Sequence, residues 1–257
     1  IGATTALTSV TTNAGGTLGL NGGSVRTTGA QSYGEAVTLG VNTTLNAGSG
    51  NVTFSSTVDG GYDLSISSTG ATTFNAPVGA TTALSSLSTT ATVPANAGTV
   101  TFNDGRIITT GNQSYGGAVL LGADTTLNAG AGNVVFSKEV DSLANTSWAL
   151  TINSTGATTF AAPIGATTAL TSLTANTGGT LALNGSSVRT TGAQTYGEAV
   201  TLGGNTTLNA GAGNVTFSST VDGAYDLTIN STGATTFAAS IGATTALTSV
   251  TTNAGGT

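Results

Sequence analysis

Residues 42–79, NTTLNAGSGNVTFSSTVDGGYDLSISSTGATTFNAPVG, run through one pattern twice. Leu45 and Leu64 open the two passes; Gly50 and Gly70, Phe54 and Phe74, then Val58 and Val78 follow in the same order. The leucines are 19 residues apart and the phenylalanines 20. The double pass returns at residues 205–242 and, slightly expanded, at 124–165. A unit this short is too small for a helical hairpin repeat, which needs more than about 30 residues, and suits a coil of brief strands joined by corners.

A longer period contains the short one. IGATTAL at Ile1 returns as VGATTAL at Val78 and as IGATTAL at Ile164 and Ile241. The chain therefore divides into repeats 1–77, 78–163 and 164–240, and residues 241–257 start a fourth that matches 1–17 letter for letter, a restart after 240 residues. Taking Leu7, Val25, Leu45, Leu64 and Leu84 as equivalent predicts four coils of about 19 residues per repeat. All 257 residues then form one continuous β-solenoid of thirteen or so coils, a rod on the order of 60 Å long.

Inside each coil the pattern has period two. Val52 and Phe54 alternate with Asn51, Thr53 and Ser55, and Leu64 and Ile66 with Asp63, Ser65 and Ser67. Such alternation marks strands with one buried face, and Asn-Ala-Gly, Ser-Thr-Gly and Asp-Gly-Gly between them supply corners. The expected core ladder is Leu7, Val25, Leu45, Val52, Phe54, Val58, Leu64, Ile66, Phe74, Val78, Leu127, Phe136, Leu150, Phe160, Leu208, Phe217, Leu227 and Phe237, with Leu45 over Leu64 and Phe54 over Phe74. The middle repeat has five extra residues between Leu87 and Gln113, including Pro94, and four between Val140 and Leu150, where Trp148 replaces the tyrosine of Tyr62 and Tyr225. Both insertions fall beside corners, where a longer loop leaves strand register alone.

Composition narrows the chemistry. Charged residues make up 5%, the net charge is −6, and Arg26, Arg106, Lys138 and Arg189 are the only cations, too few and too scattered for nucleic acid. The chain has no cysteine or histidine, which removes thiol nucleophiles, disulfides, Cys/His zinc sites and imidazole catalysis. No cofactor or metal is expected. A mean hydropathy of +0.22 argues against disorder. No apolar run has transmembrane length, and the aromatic content of 5% does not make the girdles of an outer-membrane barrel. The chain opens without methionine and reads as an excerpt of something longer.

TTLNAGSGNVTFSSTVDG and DLTINSTGATTFAAPIGATTALTSL resemble the repeats of filamentous-haemagglutinin-type adhesins, large bacterial surface proteins exported by two-partner or autotransporter routes. The resemblance covers essentially the whole chain. It implies a right-handed parallel β-helix, an extracellular location and a role as the shaft of an adhesin or filament, with itself and surface glycans as partners.

The candidate sites have plain structural readings beside them. Asp59 with Asp63, repeated as Asp222 with Asp226, is the carboxylate pair a polysaccharide-cleaving β-helix would need. In the middle repeat Asp141 remains, but Ala149 replaces the second acid, which favours solvated Asp-Gly corners and no enzyme. Arg26 and Arg189 are placed to pair with Glu35 and Glu198 one coil on. Thr43-Thr44, Thr72-Thr73 and Thr81-Thr82 raise an ice-binding face as a remote alternative. Triplets such as Asn42-Thr43-Thr44 and Asn51-Val52-Thr53 match the N-glycosylation sequon mostly by chance. With few charges to repel a neighbour and no polar cap apparent at either end, the coils are expected to stack end to end on further copies.

Overall fold

The computed structural model describes residues 1–90 and 98–253. Its named strands are all β, its strand pairings are all parallel, and no helix occurs among the described residues. The alternation in sequence becomes alternation in burial: Val52–Phe54 and Asp63–Ser68 bury every second side chain.

Each coil has three sides. Val10–Thr12 lies on a first face, Thr17–Leu20 on a second and Ser24–Arg26 on a third; Gln31–Tyr33 then returns to the first face. There Val10 is the partner of Gln31, Gln31 of Val52, and Val52 of Thr72. The first face climbs to Val140–Ser142, passes through Ile164 to Ser187–Arg189, and ends in Ser249–Thr252. About 11 coils of about 21 residues make up the rod.

The expected coil of 19 residues, four to a repeat, is therefore corrected. Leu45 is the partner of Ile66, and Leu64 lies between Thr43 of the preceding coil and Leu87 of the next. Of the leucine series, Val25 and Leu45 are partners, whereas Leu7 meets Thr27 and Leu84 meets Thr109. A slip of two residues keeps every side chain on its own side of the strand, so alternation cannot distinguish the two registers. Phe54 does lie over Phe74.

A 77-residue repeat at 21 residues per coil makes about three and two-thirds coils. Equivalent residues of successive repeats consequently land one face back. Tyr33 is on the first face, Tyr115 on the third and Tyr196 on the second. The opening residues follow suit. Ile1 bonds to the third-face strand Ser24–Arg26, Val78 bridges Ile107 on the second face and Ile164 bridges Val188 on the first. Ile241 bridges Val221 and is on the third face again. The 240-residue restart is thus the distance after which the chain regains its starting face.

The aromatic core obeys the same shift. Tyr33, Phe54, Phe74 and Phe102 stack along the first face with ring centroids 5.1, 5.2 and 5.7 Å apart. Phe102 meets Tyr115 edge-on, and Tyr115, Phe136 and Phe160 continue on the third face. Tyr196, Phe217 and Phe237 form a third column on the second face. The stacked separations lie in the favourable range for offset rings. Sixteen of the 18 expected ladder residues are buried; Leu7 is 43% exposed and Phe237 half-buried, each in an end coil.

Of the two insertions, Pro94 lies outside the described residues. The second makes a turn between Val140–Ser142 and Leu150–Ser154. Asn145 adopts φ 64° there, and the Thr146 hydroxyl donates to the Leu143 carbonyl.

Candidate functional site

The acidic corners are the first candidates. Asp59 and Asp63 sit on the second and third faces, on either side of the Gly60-Gly61 corner. Asp59 Oδ1 accepts the backbone N–H groups of Thr81 and Thr82 at 2.8 and 3.0 Å, inside the GATTA loop of the next coil. Asp141 holds Thr167 and Thr168 in the same way, and Asp222 holds Thr244 and Thr245. The bonds from Thr245 and Thr244 keep the Asp222 carboxyl below its ordinary pKa. Asp63 and Asp226 accept from the hydroxyls of Ser86 and Ser249, both at 2.7 Å. These carboxylates tie one coil to the next.

Asp141 is buried, so it gives the sharpest test. Asp141→Ala strands two loop N–H groups and is expected to lower stability by about 1–3 kcal/mol in urea melts. Asp141→Asn keeps an acceptor and stays within about 1 kcal/mol of the parent. Equal losses from both would show that the carboxylate has another role.

A buried polar network escaped the sequence reading. Gln31 Nε2 donates to the Val25 and Asn46 carbonyls and to Thr27 Oγ1, and Tyr33 donates to Gln31 Oε1 at 2.8 Å. Gln113 with Tyr115, and Gln194 with Tyr196, repeat the arrangement on the other two faces. Burial pushes all three phenols above their ordinary pKa. Asparagine ladders were missed as well: Asn153 donates to Asn128, and Asn176 to Asn153, on the second face.

The other candidates separate. In the threonine pairs Thr43 and Thr72 point inward on the third and first faces while Thr81 and Thr82 lie in a loop, so no common flat face exists. Arg26 is on the third face and Glu35 at the corner of the first and second; Arg189 is on the first face and Glu198 at the corner of the second and third. The proposed Arg–Glu pairs are therefore replaced, and Arg189 instead donates to the Ala166 carbonyl at 3.4 Å. The sequon side chains are engaged, Asn42 by the Asp63 N–H and Asn51 by the Ala71 N–H.

Glu198 is unusual. It is 1% exposed, neither oxygen has a hydrogen-bond partner, and the facing Thr158 hydroxyl is equally unpartnered. Burial raises its carboxyl from an ordinary 4.5 to about 7; the nearby Thr158 hydroxyl acts in the opposite direction without making a well-formed bond.

On the outside, Tyr62 and Tyr225 are exposed, and the Tyr62 ring borders a shallow corner groove with Asn21, Gly22, Gly23, Val41 and Asn42. Trp148, half-buried at the equivalent position, keeps its indole N–H unpartnered. The three rings occupy three different corners of the rod. Among the described residues no three or more acidic side chains gather in a way that could hold a metal ion. Comparison with protein-family models, curated proteins and solved structures gives no match.

Proposed function

We propose that this chain is a shaft segment of an extracellular bacterial filament or large surface adhesin, lengthened by end-on stacking of coils. The observation that carries this reading is the direction of the side-chain hydrogen bonds. Asp59, Asp63, Asn42, Asn51 and the asparagine ladders all join one coil to the next along the axis. These acids are held by structure, which supports a non-enzymatic role. Apolar residues in the end coils are exposed: Ile1 and Leu7 in one, Ile241 and Val250 in the other. Further coils, from the same chain or another copy, would cover them and pair their strand edges.

Electron microscopy and sedimentation of the purified chain test the proposal. Filaments of constant width, lengthening with concentration, are expected, and Ile241→Lys with Val250→Lys should leave monomers. Monodisperse rods at high protein concentration, unaltered by the lysines, would refute end-on assembly.

One observation favours a second reading, binding of surface glycans. The Tyr62 groove offers an exposed ring beside two carboxamides, and Asn184, Asn205 and the exposed Tyr225 stand at the equivalent positions of the third repeat. On this reading Tyr62→Ala with Tyr225→Ala loses glycan-array binding; an unchanged array pattern removes it.

A further inference from the structure

We propose that Glu198 is a proton-operated latch: a neutral carboxyl closes the coil corner of the third repeat, and its deprotonation buries an unpaired charge that loosens those coils. The geometry alone motivates this. Both carboxyl oxygens and the Thr158 hydroxyl lie inside the rod without well-formed hydrogen bonds, and Gly179 lines the same corner; a Cβ there would stand 2.0 Å from the Gly156 carbonyl oxygen and 3.2 Å from Glu198 Oε1. A buried carboxylate without a partner is costly, whereas the neutral acid is tolerated.

The middle repeat supplies an internal comparison. Gly117 stands where Glu198 stands in the third repeat. The matching corner holds a partly open cavity of about 10 Å³ lined by Ser68, Thr72, Thr89 and Gly117, among others. That is about the space of one water, which would find hydroxyl partners there. The corner is thus a polar pocket that one repeat leaves open and another fills with its own carboxyl. Glu35, at the same position in the first repeat, is only half-buried.

Few charges compete. On the segments packed around Glu198, residues 154–160, 176–183, 194–202 and 215–222, the other titratable groups are Tyr196 and Asp222. The Tyr196 hydroxyl donates to Gln194, and Asp222 is held by Thr244 and Thr245; no lysine or arginine lies on these segments.

The sign follows from linkage. The folded chain holds the Glu198 proton more tightly than the unfolded chain, so this contribution is fully present below pH 4.5, falls as pH rises towards 7, and is flat above. The depressed Asp222 acts oppositely, losing stability as pH falls through its lowered value, below this window.

Native-state hydrogen exchange of residues 176–202 at pH 5 and pH 8, corrected for intrinsic rates, reads the latch. The parent is expected to open at least about tenfold more often at pH 8, and Glu198→Gln less than about twofold. Glu198→Gly, which reproduces the middle-repeat corner, should be equally insensitive and serves if the glutamine variant does not fold. Gly117→Glu should create a second pH-dependent opening, around residues 66–72 and 113–121. Equal protection of the parent at both pH values, or the parental response surviving in Glu198→Gln or Glu198→Gly, would overturn the proposal, as would pH-insensitive middle-repeat exchange in a folded Gly117→Glu chain.

Discussion

Phe54→Ala is expected to lower the stability of the rod by about 3–5 kcal/mol. The Phe54 ring is 1% exposed and lies between Tyr33 and Phe74, parallel to the latter within 4°. Removing it leaves a void bounded by rings above and below, which the fixed coil spacing keeps from collapsing. Urea titration supplies the value. Because solenoids can unfold in sections, exchange of residues 31–33 and 72–74 should show the loss concentrated in the coils on either side. A change below about 1 kcal/mol would place the ring outside the core.

Gly50→Ala is expected to be comparably damaging, although it adds one methyl group. A Cβ at residue 50 would stand 2.1 Å from the Gly29 carbonyl carbon and 2.3 Å from the Ala30 nitrogen, all backbone of the preceding coil. No rotamer relieves such an overlap, so the coils must part, at about 3 kcal/mol or more. Gly61→Ala is the matched control. A Cβ there meets nothing within 4 Å, and its effect should stay within about 0.5 kcal/mol. Tolerance of alanine at both positions would mean that the coils do not approach at this corner.

The parts of this architecture that depend on the parity of side chains could be read from the residues. Val52, Phe54, Leu64 and Ile66 alternate with polar neighbours and are buried, as alternation requires. Coil length depends on register, and parity cannot separate Leu45 over Leu64 from Leu45 over Ile66. The face-by-face rotation of the repeats follows from coil length, so it was hidden too.

The Gln–Tyr network had a visible signal. Gln31-Ser32-Tyr33, Gln113-Ser114-Tyr115 and Gln194-Thr195-Tyr196 each place a polar and an aromatic residue two apart, on the same inward side. The fate of Glu198 had none. Glu35 has the same neighbours in sequence, and only the coils stacked around each residue distinguish half-buried from fully buried.

Cysteine pairing tests the coil register most directly, since the chain contains no cysteine of its own. Thr44 and Ser65 are direct partners on adjacent coils, and neighbouring strands about 4.8 Å apart lie within disulfide reach. Thr44→Cys with Ser65→Cys should oxidise efficiently within one chain, whereas Thr44→Cys with Asp63→Cys, the pair a 19-residue coil would align, should not. Efficient bonding of residues 44 and 63, with none between 44 and 65, would contradict the three-sided coil of about 21 residues and the rotation of repeats derived from it.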